Sequence, residues 1–273
     1  MMVSFQGLGV LGFSVVLKKT NEETMKNFQK YLLLCAALML SGLTQAQEIQ
    51  KKLDPFDKII VSPKINLVLQ KGEQESILIK YSNVTADKIN IEVSNNRLRI
   101  YLDDARIVEK HRKTHSENYS SNMSIYHDAI ITAYVTYREL KVLDIRGEEE
   151  VTCDGTLDTE KFKLKVYGQA DVTLASLHAK KFKAVLYGEN KLRIKEGQTG
   201  HQRYRLYGVN KIDTQALSSE TVSTTIYGEG RLSVNASDEI RINAFGEPRV
   251  NVSGNSHISR GIIIGRADIR MNR

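Results

Sequence analysis

Residues 164–174 read LKVYGQADVTL, 184–194 AVLYGENKLRI, 204–214 YRLYGVNKIDT and 224–234 TTIYGEGRLSV. An aromatic–glycine pair returns with apolar and polar residues alternating on both sides of it. Followed outward, the glycine recurs at Gly147, Gly168, Gly188, Gly208, Gly228, Gly246 and Gly265. The residues before it are Arg146, Tyr167, Tyr187, Tyr207, Tyr227, Phe245 and Ile264. Four and six residues after each glycine stand Val151/Cys153, Val172/Leu174, Leu192/Ile194, Ile212/Thr214, Leu232/Val234, Val250/Val252 and Ile269/Met271. All but Thr214 are apolar. At three and five residues after it, from Glu150/Thr152 to Asp268/Arg270, none is apolar. Alternation with period two marks strands with one buried face. Leu164/Val166, Ala184/Leu186, Tyr204/Leu206 and Ile242/Ala244 continue the alternation before the glycine. Phe162, Phe182, Gln202, Val222, Ile240 and Ile258 form a third inward column. Each unit of about 20 residues is thus two strands bent at a glycine, which reaches positive φ without a Cβ clash, plus a third side.

The turn signal comes once per unit, and equivalent side chains recur at one phase. An antiparallel sandwich would need a hairpin turn after every strand. Stacking of like on like is expected instead, which makes an all-β parallel solenoid. The leucine–asparagine consensus of leucine-rich repeats is absent, and propeller blades need about 40 residues. Coils stack about 4.8 Å apart. Each buries about five apolar side chains, on the order of 10 kcal/mol before the entropy of ordering. A lone coil would bury none of them.

Upstream of this array (146–273), an N-terminal segment over 47–145 is also β-rich. FDKIIVSPKINLVLQ, ESILIKYS and KINIEVSNNRLRIYL alternate, with breaks at Gly72-Glu73 and at Asn95-Asn96, a hairpin-turn pair. The stretch 103–128, DDARIVEKHRKTHSENYSSNMSIYHD, is polar and aperiodic and reads as a long surface loop. AIITAYVTYRELKVLDIRG then returns to strand. The half is expected to continue or cap the solenoid.

Residues 25–46, MKNFQKYLLLCAALMLSGLTQA, have the form of a signal peptide. Lys26 and Lys30 precede the apolar run Tyr31–Leu43, and Thr44-Gln45-Ala46 offers a cleavage site before Gln47. Met25 then reads as the initiator, and 1–24 as the product of a misplaced upstream start. Past this segment Cys153 is the sole cysteine, which excludes an intrachain disulfide. The 273 residues are 41% hydrophobic and 26% charged with 3 prolines, so collagen-like and disordered classes are excluded. No long apolar run follows residue 46, so no span is expected in the mature chain. The net charge of +7 is too diffuse to indicate a nucleic-acid partner.

The order FDKIIVSPKINLVLQKG, NNRLRIYL, YRELKVLDIRG and repeated apolar-x-apolar-Tyr-Gly blocks resembles the putative auto-transporter adhesin head (GIN) domain family over about residues 53–271. The resemblance implies a right-handed parallel β-helix, export to the periplasm or cell surface of a Bacteroidetes cell, and an adhesin role. It brings no catalytic residues and no cofactor.

Two outward columns are candidate binding surfaces. Tyr167, Tyr187, Tyr207, Tyr227 and Phe245 would form an aromatic ladder, either a platform for sugar rings or a protein partner, or a structural stack shielding the bend. Lys191, Lys211, Arg231 and Arg249 would form a basic stripe with Glu150, Asp171 and Asp268 toward its ends. It would bind acidic glycans or envelope phosphates, or be balanced by Glu189, Glu229 and Glu247. His111, His115 and His127 lack any metal-ligand motif. No G-x-S-x-G, H-E-x-x-H or P-loop occurs. The leading expectation is a non-enzymatic envelope adhesin or scaffold that binds glycan or protein. The alternatives are a polysaccharide-processing β-helix enzyme, which needs converging carboxylates, and a structural protein that self-associates through rod ends.

Overall fold

The computed structural model describes residues 47–116 and 119–272, without the side chains of 111–123. The expected signal segment 25–46 and the upstream residues 1–24 lie outside them. In chain order the strands are β1 (Gln47–Lys52), β2 (Lys58–Val61), β3 (Asn66–Lys71), β4 (Ser76–Ser82), β5 (Ile89–Ser94), β6 (Arg97–Leu102), β7 (His111–Ser116), β8 (Tyr119–Ser124), β9 (Ile130–Tyr137) and β10 (Val142–Gly147). The long bent strands β11 (Glu150–Gly168) and β12 (Asp171–Gly188) follow. Then come β13 (Lys191–Ile194), β14 (Gly197–Gly208), β15 (Asn210–Thr214), β16 (Leu217–Tyr227), β17 (Gly230–Asn235), β18 (Glu239–Gly246), β19 (Arg249–Ser253), β20 (His257–Gly265) and β21 (Asp268–Asn272).

Three walls form a solenoid. In the first, the strands that lead into the glycines stack in parallel. One inward column runs Leu98, Ile59, Leu143, Leu164, Ala184, Tyr204, Thr224, Ile242, each in register with the next. In the second, the strands that leave the glycines stack as Ala133, Leu67, Val151, Val172, Leu192, Ile212, Leu232, Val250, Ile269. The third, shorter wall sets Leu157, Leu177, Gly197 and Leu217 in line. The three columns meet in one core, and their members up to Val250, Gly197 apart, are almost wholly buried.

Polar members of the inward columns satisfy one another. Tyr204 Oη donates to Gln202 Oε1 (2.6 Å) and lies 2.8 Å from Thr214 Oγ1. Thr214 Oγ1 donates to the Ser233 carbonyl, and Gln202 Nε2 to that of Leu217. A buried polar group costs little once it is paired, which is why Thr214 and Gln202 fit where the alternation calls for apolar residues.

The N-terminal half belongs to the same unit. It enters the first two walls through β2, β6, β3 and β9, then ends them with antiparallel pairs. β5 folds onto β6 through Asn95 and Asn96, both with positive φ (51° and 57°). β4 pairs with β9, and β1 with β4. One expectation is corrected. The 103–128 stretch is not all loop, since β7 and β8 pair antiparallel as a separate two-stranded sheet. Its sequence, HRKTHS and YSSNMS, lacks the period-two apolar signal by which the other strands were legible. Among the described residues, no helix is long and apolar enough to cross a membrane.

Candidate functional site

All seven repeat glycines have positive φ, between 94° and 142°. The backbone turns there from the first wall into the second, and the residues on either side of the turn are brought out to the surface in rows.

The row just before the glycine is the aromatic ladder. Tyr167 and Tyr187 stack at 5.1 Å, Tyr187 and Tyr207 at 4.4 Å, Tyr207 and Tyr227 at 5.0 Å, and Tyr227 and Phe245 at 4.7 Å, with rings within 8° of parallel. Tyr187, Tyr207 and Tyr227 therefore have a neighbour on each face. Tyr167, Tyr187 and Tyr227 remain 38–39% exposed. A sugar ring packs on an aromatic face, and the inner rungs present only edges and hydroxyls.

Two positions after the glycine lies a stack that the sequence did not disclose. Asn190 Oδ1 accepts from the Ala170 amide (3.1 Å), and Asn210 Oδ1 from Asn190 Nδ2 (3.1 Å). Asn190 Nδ2 and Asn210 Nδ2 donate to the carbonyls of Tyr187 and Tyr207. Both asparagines are buried. They tie the corner of one coil to the next and hold the flanking rows in phase.

The row three after the glycine is the basic stripe. Glu150, Asp171, Lys191, Lys211, Arg231, Arg249 and Asp268 are consecutive register partners. Its end cations are matched, Lys191 to Asp171 (3.4 Å) and Arg249 to Asp268 (3.1 Å). Arg270, and then Arg249, hold the Asp268 carboxyl below its ordinary range. Beside the row, Arg193 meets Asp213 (3.6 Å). Among the described residues, Lys211 and Arg231 have no carboxylate within 4.0 Å, and Glu189, Glu229 and Glu247 pair with none of the four cations. Lys211 and Arg231 project into a groove of about 1020 Å³, which Thr173, Gln215, Ser233 and Asn251 also line, together with the carboxylates of Asp171, Asp213, Glu229, Glu247 and Asp268.

A second cavity, of about 810 Å³, adjoins Tyr167 at the other end of the ladder, between the Arg146–Glu149 corner and exposed Ile107 and Val108. Burial pushes the Glu149 carboxyl up, partly offset by the Lys64 amide that donates to it. Cys153 is buried and unbridged, against the Tyr137 hydroxyl at 3.5 Å. Among the described residues, no cluster of His, Cys, Asp and Glu is disposed to hold a metal. The side chains of His111 and His115 lie outside that set, and His127 sits 2.7 Å from Asp128.

The family model for "putative auto-transporter adhesin, head GIN domain" matches residues 55–256. No curated protein matches the chain in sequence. The fold is similar to that of a putative adhesin from Bacteroides fragilis, at TM-score 0.67 and 18% identity over 83% of this chain and 96% of the other. It is similar to a putative adhesin from Parabacteroides merdae, at TM-score 0.62 and 13% identity over 85% and 98%. A protein from Parabacteroides distasonis titled a putative lipid binding protein is similar at TM-score 0.56 and 15% identity over 83% and 96%.

Proposed function

Since this chain belongs to the family described as putative auto-transporter adhesin, head GIN domain, we propose that it is an exported, non-enzymatic adhesion module of the cell envelope that grips a glycan in the groove of its second wall. The observation that supports this reading is the pair Lys211 and Arg231. They are register partners in adjacent coils, are exposed, and have no carboxylate within 4.0 Å among the described residues, while the cations above and below are matched. Two like charges about 4.8 Å apart repel and are relieved by an anion between them. The hydroxyls and amides around them suit the hydroxyls of a sugar chain. The acid group of the sugar would sit between Lys211 and Arg231, and its neighbours would lie along the groove.

The aromatic ladder has a structural part in this reading, because stacking already covers the faces that a sugar would use. The test is a glycan array probed with the mature chain from Gln47. Wild type is expected to select glycans with carboxylate or phosphate substituents. Lys211→Ala with Arg231→Ala is expected to lose at least tenfold in affinity without a change in Tm. Unchanged selection by that variant would refute the groove as the site.

A further inference from the structure

The first wall carries a second charged surface, on the strands that lead into the glycines. Lys163, Lys183 and Arg203 are register partners, and so are Lys161 and Lys181 one step toward the strand start. One step toward the glycine, Lys165 and Arg205 flank Val185 in register. Among the described residues, only Lys165 of these has a carboxylate within 4.0 Å, at Asp144 (3.6 Å), whose other partner is Arg146. The Lys183 ammonium is held below its ordinary range, first by partial burial and then by Arg205, Lys163, Arg203 and Lys165. This face is thus more strongly and more uniformly basic than the groove.

We propose that this face is a docking surface for a linear anionic polysaccharide that lies along the solenoid axis. Three observations choose this occupant. Cations repeat once per coil, about 4.8 Å apart, in straight columns, and a polymer with regularly spaced acid groups can neutralise such a column rung by rung. Cations gathered on a rigid sheet focus a positive field that draws in a polyanion and releases its counterions. The face is also poor in exposed aliphatic side chains. Val185 is 9% exposed; the exposed Ile107, Val108, Ile130, Val209 and Met271 lie outside this wall, and Ile262 and Ile264 lie at its far end on β20, three coils from Arg203. A surface that inserts into a bilayer carries apolar residues beside its cations. The tyrosine edges border the columns and offer hydroxyls to the same chain. This inference does not depend on the groove, since the two faces look out from different walls and use different cations.

The test is binding of the mature chain to polygalacturonate, with uncharged dextran and anionic phosphatidylglycerol vesicles as parallel probes. Polygalacturonate is expected to bind, dextran not to, and vesicles more weakly than polygalacturonate at equal charge. Affinity should fall steeply between 50 and 200 mM salt. Lys183→Ala with Arg203→Ala should weaken polygalacturonate binding at least tenfold. Its Tm should stay level or rise, because removing Lys183 relieves repulsion. Lys51→Ala with Lys52→Ala removes the same charge from β1, outside both columns of cations, and should bind polygalacturonate within twofold of wild type. Absence of binding, wild-type binding by the Lys183/Arg203 variant, or tighter binding to vesicles would each overturn the proposal. Array binding by the Lys211/Arg231 variant reads the groove, and polygalacturonate binding by the Lys183/Arg203 variant reads this face, so that the failure of one proposal is distinguished from the failure of the other.

Discussion

A methyl group on Gly188 would stand 2.1 Å from the carbonyl oxygen of Gly168, and that oxygen accepts the amide of Glu189 at 3.0 Å. The glycine is required twice, for its φ of 108° and for this close approach between coils. Gly188→Ala is expected to cost about 3 kcal/mol or more, read by denaturant unfolding. Gly155→Ala should change stability by no more than about 0.5 kcal/mol, because no atom lies within 4 Å of its added Cβ and its φ is not positive. The need for positive φ was legible in the repeat of the aromatic–glycine pair. The second need was not, since it depends on how closely successive corners approach. The same holds for Asn190 and Asn210, which read as ordinary polar turn residues until the register sets one beneath the other.

At the scale of the element, strands were legible wherever one face is buried. The period-two pattern of 164–174 and its copies follows directly from an apolar side facing the core. It fails for β7 and β8, which pair with each other apart from the main sheet. The ladder is an element of its own, and its outward direction was legible. Parity put the rings outside, but only coordinates show them stacked face to face at 4.4–5.1 Å. Tyr207→Ala removes two of the four stacked contacts and should cost about 1–3 kcal/mol. A lower midpoint in thermal melts with unchanged glycan binding is the expected result. Lost binding at full stability would make the ladder a binding surface instead.

At the scale of the molecule, parallel stacking in register turns a sequence repeat into surfaces. A residue chosen once per coil becomes a column, so the chemistry of each wall follows from one position in the repeat. The stripe after the glycine was legible for that reason. The basic face before it was written as plainly, in KFKLK, KKFKAV and HQRYR. Its meaning depended on which carboxylates come near, and only the fold shows that Lys163, Lys183 and Arg203 have none within 4.0 Å among the described residues.

Both proposed surfaces rest on that stacking, and paired cysteines on the groove wall test it most directly. Cys153 is buried with its thiol pushed up by burial, and so stays out of the exchange. Lys191 and Lys211 are register partners in adjacent coils, whereas Arg231 is one coil further on. Adjacent positions lie about 4.8 Å apart and next-but-one positions about 9.6 Å, and a disulfide spans Cα separations of about 4.4–6.8 Å. Mild oxidation of Lys191→Cys with Lys211→Cys is expected to give an intramolecular bond in the folded monomer, and oxidation of Lys191→Cys with Arg231→Cys none. Closure of the second pair and not the first would mean that like does not stack on like, and the account would fail.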